Sequence, residues 1–84
     1  MGQDKRLTSA ILSGMQDRNI SFVDLYNLLV DMGFSVRVRG DHHIFSRPDV
    51  AEIINLQPDG NKAKPYQVRQ VRGLILKYKL GGEE

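Results

Sequence analysis

The chain contains no cysteine. Disulfides and thiolate metal sites are therefore excluded. No apolar run approaches the roughly 20 residues needed to span a bilayer. Residues 1–6 are polar and lack the apolar core of a signal peptide. A cytoplasmic location, away from the membrane, is the expectation. Metal chemistry has little to build on. His42 and His43 are adjacent, which is not helical i, i+4 spacing, and no third ligand is evident. Lys62-Ala63-Lys64-Pro65 is not a P-loop, and no Gly-rich nucleotide motif occurs. Neither a metal nor a small-molecule cofactor is expected.

What is present is a globular composition, 40% hydrophobic and 26% charged over 84 residues. That is one domain, with a core close to marginal for its length. A bound partner would then matter for stability as well as for activity. The net charge of +2 says little, but its distribution says more. Lys62, Lys64, Arg69, Arg72, Lys77 and Lys79 occur in a stretch without a single acid. Residues 37–47 add three arginines against one aspartate. This asymmetry is a candidate phosphate-facing footprint. A solvated basic helix face accounts for the charge alone equally well.

Leu7, Ile11, Leu12 and Met15 recur at helical spacing and predict an amphipathic helix over residues 4–16. Gly14 weakens its last turn. Ser21 is an N-cap candidate with Asp24 three residues on. The second helix carries Phe22, Leu25, Tyr26, Leu29 and Met32 on one face, and Gly33 is its left-handed stop. Phe34, Val36 and Val38 then alternate with Ser35, Arg37 and Arg39, predicting a strand whose arginines face outward. Gly40-Asp41 is a turn. A second strand runs over residues 42–47 and a third over 52–57. Pro58-Asp59-Gly60-Asn61 reads as a loop. Pro65 opens the last helix, with Tyr66, Val68, Val71, Leu74, Ile75 and Tyr78 as its buried stripe. Gly73 in that helix marks close packing, and residues 81–84 read as a frayed tail. The fold class is α+β. Helices lie on one face of a three-stranded antiparallel sheet. Residues 1–20 are an N-terminal helical extension. Residues 21–80 form an α-β-β-β-α core, the order of a double-stranded-RNA-binding-like fold.

Histidine is the side chain whose unperturbed pKa lies nearest neutrality, so His42 at the hairpin tip can take and give a proton. RNA supplies its own nucleophile, the 2′-hydroxyl. A general base there allows in-line attack on the adjacent phosphate and leaves a cyclic phosphate. The bland alternative is a turn residue without a role. If Phe45 faces the core, His43 shares that face and packs rather than reacts. Arg37 and Arg39 are candidate phosphate ligands and transition-state stabilisers, against the reading of ordinary solvated strand arginines. Lys62 and Lys64 precede a helix N-terminus, which also favours an anion. They are candidate RNA-positioning residues. Tyr66 and Tyr78 read as core rather than as base-stacking platforms.

Gly40-Asp41-His42-His43-Ile44-Phe45 resembles the Gly-Ser-His-x-x-Phe signature of the HicA toxins, small bacterial mRNA interferases. The helix exit over residues 29–34 and the strand-loop-helix over residues 55–72 resemble parts of the same family. The likeness covers residues 21–80. It implies a double-stranded-RNA-binding-like fold, metal-independent cleavage of mRNA, and neutralisation by a HicB-type antitoxin. The first histidine of the motif is the family's catalytic residue and falls on His42. Asp41 stands where the motif has serine, placing an anion beside the scissile region. The N-terminal helix is an addition to the shortest members. The alternatives are an RNA-binding module of the same fold that does not cut, and a basic module that docks an acidic protein.

Overall fold

The computed structural model describes residues 5–80. The tail at residues 81–84 lies outside them, as does the start of the first helix expected at residue 4. Helix α1 (Lys5–Ser13) buries Thr8 and Ile11. It stops earlier than the apolar spacing implies, because Gly14 takes φ +74° and turns the chain. Ser13 Oγ fastens this turn, donating to Ala10 O at 2.8 Å and accepting from Met15 N–H at 3.1 Å. Met15 is therefore off the helix and 87% exposed, and Leu12 is exposed as well. A single 3₁₀ turn (Asp17–Asn19) follows.

Ser21 caps α2 (Phe22–Asp31), its hydroxyl accepting from Asp24 N–H at 3.3 Å. Leu25, Leu28 and Leu29 are its buried residues. Gly33 ends it at φ +95°. Arg47 Nη1 donates to the terminal carbonyl of Met32 at 2.8 Å, and Arg47 pairs with Asp49 at 2.8 Å.

Strands β1 (Ser35–Arg39), β2 (His42–Arg47) and β3 (Val50–Leu56) form an antiparallel sheet in the order β1-β2-β3. Gly40 at φ +58° takes the first central position of the two-residue β1–β2 turn. That is the position a type II′ turn reserves for glycine. Val36 pairs with Phe45 and Phe45 with Ile54, while Val38 pairs with His43 and His43 with Leu56. Paired residues share a face, so these rows form the helix side. Burial falls off toward β1. Phe45, Ile54 and Leu56 are fully buried, Val36 is half-buried, and Val38 is 54% exposed. Val38 was expected in the core; it lies on the right face but beyond the helices' cover.

The segment read as a loop after β3 is a small hairpin, β4 (Pro58–Asp59) with β5 (Lys62–Ala63). It is stitched to the start of α2. Ala63 N–H donates to Ile20 O at 2.9 Å, and Phe22 N–H donates to Asn61 O at 3.0 Å.

Helix α3 (Pro65–Tyr78) buries Gln67, Val68, Val71, Leu74 and Ile75. Tyr66 is 57% exposed, not core, and the polar Gln67 takes the inward position instead. Gly73 does not mark close packing, since a Cβ there would meet no atom within 4 Å. The side chains of α3 also cover the outer edge of β3. Gln70 Nε2 donates to Ile53 O at 3.4 Å, and the Tyr78 hydroxyl accepts from Ala51 N–H at 3.3 Å.

The N-terminal segment joins the same core through the fully buried Ile11. Arg72 holds it from α3, donating to Ile11 O at 3.0 Å and to the two carboxylate oxygens of Asp17 at 2.9 and 3.3 Å. The extension therefore buttresses the core. No helix among the described residues is long and apolar enough to cross a membrane.

Candidate functional site

The face of the sheet away from the helices carries Arg37 and Arg39 from β1, His42, Ile44 and Ser46 from β2, and Ile53 and Asn55 from β3. Strict alternation along each strand puts them there. A shallow depression of about 550 Å³ lies over this face, between Arg37, Arg39, Ser46, Ile44 and Ile53. Arg39 and His42 are direct cross-strand neighbours at the tip, and Arg37 is opposite Ile44. Neither guanidinium has a hydrogen-bond or ion-pair partner among the described residues.

The His42 ring is about half exposed. Its Nδ1 lies 3.2 Å from Asn55 Oδ1. With the amide oxygen accepting, Nδ1 carries the hydrogen of the neutral ring and Nε2 holds the basic lone pair. Nε2 is 3.8 Å from Asp41 Oδ1, beyond hydrogen-bond distance.

Asp41 is itself held elsewhere. Its Oδ2 accepts from Gln57 Nε2 at 3.0 Å, and Gln57 Oε1 accepts from Lys64 Nζ at 3.2 Å. The Gln57 bond, ahead of Asp41's own backbone and the charges of His42 and Lys64, holds the carboxyl below its usual range against some desolvation. Gln67 anchors the row from below. Its buried Oε1 accepts from the backbone N–H of Gln57 at 3.3 Å and of Lys64 at 3.4 Å. A polar chain thus runs from the hairpin tip to the start of α3.

Of the candidate residues, the structure brings together His42, Arg37 and Arg39 on one face and draws Lys64 to the tip. Lys62 sits on β5, exposed, and its ammonium does not join this chain. Three further bases serve the fold. Arg47 and Arg72 hold the contacts given above, and Lys77 Nζ donates to Glu52 Oε2 at 2.7 Å. The basic footprint is accordingly narrower than the charge count implies. Glu52 also accepts from the Tyr78 hydroxyl at 2.7 Å, and the Lys77 and Tyr78 bonds bring its pKa down to about 2.

His43 lies on the opposite face, packed edge-on against Phe22 at 5.0 Å and Tyr26 at 5.7 Å between ring centroids. Its Nδ1 is buried without a hydrogen-bond partner. Among the described residues, no group of three or more His, Asp or Glu side chains is placed to hold a metal ion.

Sequence reasoning passed over Asn55, Gln57 and Gln67. The strand alternation that exposes Arg37 would have put Asn55 on the same face, opposite Ile54 and Leu56. Gln67 stands two residues after the Pro65 that opens α3, a capping position whose side chain reaches back to the turn.

No protein-family model, curated protein or solved structure matches this chain.

Proposed function

We propose that this chain is a metal-independent endoribonuclease acting on mRNA, the toxin of a toxin–antitoxin pair of the HicA type. The observation that carries the reading is the His42 ring. It is oriented by Asn55, is about half exposed with Nε2 beyond hydrogen-bond distance of Asp41, and stands across the strand from an unpaired arginine. The likeness of residues 40–45 to the toxin signature and the α-β-β-β-α order support the same reading.

His42 Nε2 takes the proton of a ribose 2′-hydroxyl. The 2′-oxygen bonds to phosphorus as the bond to the 5′-oxygen breaks, and water protonates the leaving oxygen. A 2′,3′-cyclic phosphate results. Arg37 and Arg39 bind the non-bridging oxygens, where charge builds in the transition state. Lys62 and Lys64 position the strand beyond the scissile phosphate. The protein partner in this reading is a HicB-type antitoxin, and the setting is the cytoplasm.

A second reading is RNA binding without cleavage. Asp41 favours it, because its carboxylate stands beside Nε2 on a side from which a phosphate would approach. The experiment is cleavage of end-labelled mRNA by the purified chain in excess EDTA, beside the His42→Ala variant. Cyclic-phosphate ends that appear with the parent chain and vanish with the variant support the nuclease. Salt-dependent RNA binding without new ends favours the second reading, and the absence of both cleavage and binding overturns both.

A further inference from the structure

The two outer edges of the sheet differ. The β3 edge is occupied by Gln70 and Tyr78 from α3. The β1 edge is not. Arg39 and His42 close the two-residue turn and exchange ladder bonds, so alternation turns the N–H and C=O of Val36 and Val38 away from β2. No backbone partner engages them among the described residues. The strand is five residues long, regular in register, and free of proline. Such an edge is a template for another strand.

The two faces flanking this edge differ in chemistry. On the helix side are Val36 and Val38, the latter 54% exposed. On the other side are the unpaired Arg37 and Arg39. These charges decide which strand fits. A second copy of β1, laid antiparallel so that each Val36 meets a Val38, sets the two Arg37 guanidinium groups directly opposite each other. Like charges in that position are destabilising. We infer that β1 is a docking edge for an extended segment of a partner protein in which acidic residues alternate with apolar ones. The apolar side chains cover Val36 and Val38, and the carboxylates face Arg37 and Arg39. The inference goes beyond the nuclease reading and stands on the edge geometry and the charges beside it. Where such a segment is bound, the two arginines are closed to phosphate.

The test is an NMR titration of the full chain with a blocked hexapeptide alternating valine and glutamate, up to millimolar concentration. Slowed exchange of the Val36 and Val38 amides is expected. Binding at least tenfold weaker is expected for the same peptide with lysine for glutamate, and the preference reverses in Arg37→Glu/Arg39→Glu. Val38→Pro removes an outward donor without touching the β2 ladder and lowers affinity at least tenfold. A glutamate peptide N-methylated on alternate residues makes the same point without altering the protein. Equal binding of the two peptides, protection at residues outside β1, self-association of the chain through β1, or no binding at millimolar peptide would each overturn the inference.

Discussion

His42 and His43 share a peptide bond and lie on opposite sides of the sheet. One ring is fixed by Asn55 at 3.2 Å on the open face, and the other is wedged against Phe22 at 5.0 Å beneath it. His42→Ala is therefore expected to abolish RNA cleavage and growth arrest while leaving the urea midpoint in place. His43→Ala is expected to cost about 2 kcal/mol of stability, from lost packing and ring contacts. His43→Leu should recover much of that loss, because it also removes a buried nitrogen without a partner. Equilibrium unfolding and an end-labelled RNA assay on the three variants check this. A His42→Ala protein that is folded and still cuts removes the catalytic assignment.

Lys62 and Lys64 are expected to affect binding far more than chemistry. Each phosphate contact releases counterions, so the double alanine variant should show a shallower dependence of RNA affinity on salt. Its cleavage rate at saturating RNA should stay within a few-fold of the parent. RNA titrations at several salt concentrations measure the slope. Since Lys64 is tied to Gln57 and Lys62 is not, Lys62→Ala alone should carry most of the change. An unchanged slope would assign both lysines to something other than RNA.

Glu52 sets an acid limit on stability. Its folded pKa is depressed to about 2 from an ordinary value of 4.5, by Lys77 first and then Tyr78. A depressed carboxylate contributes stability that is fully present above the unfolded value and lost as pH falls toward the folded one. The stability gap between the parent chain and Glu52→Gln is therefore expected to shrink from pH 6 to about pH 2. Lys77 is raised by the same pair, so its share is complete below 10.5 and disappears as pH rises beyond. Urea denaturation across both pH windows provides the check. A gap that stays constant with pH would mean the pair contributes nothing through its charge.

Arg72 joins α3 to the N-terminal segment through one carbonyl and both oxygens of Asp17. Arg72→Met keeps most of the side chain's apolar stem and is expected to cost about 2 kcal/mol, the scale of charged hydrogen bonds lost from a partly buried site. Hydrogen exchange in residues 5–13 should rise more than in β2. Uniform loss across the fold would instead show that α1 unfolds with the rest as one unit.

Much of this fold was legible locally. Ser21 and Gly33 mark the ends of α2 by their own chemistry, and the alternation from Ser35 to Arg39 separates the two faces of β1. The errors arise where a residue obeys one periodicity and a neighbouring turn or a distant contact overrides it. Leu12 and Met15 fit a helical stripe, yet Gly14 turns the chain between them. Tyr66 fits the stripe of α3, yet the neighbouring Gln67 is drawn inward to satisfy backbone donors on both sides of the β4–β5 hairpin. The candidate site divides in the same way. His42, Arg37 and Arg39 share a face by strand alternation alone. The Asn55 and Gln57 contacts span 13 and 16 residues and depend on cross-strand register, which a local pattern does not encode.

The asymmetry between the two sheet edges also bears on stoichiometry. A filament needs two complementary open edges per subunit, so that each addition exposes the next acceptor. Here α3 side chains occupy one of them. Head-to-tail stacking of folded copies, with β1 of one laid on β3 of the next, is consequently blocked. A sheet built this way offers a folded copy of the chain one free edge and not the two that a repeating stack of folded copies requires.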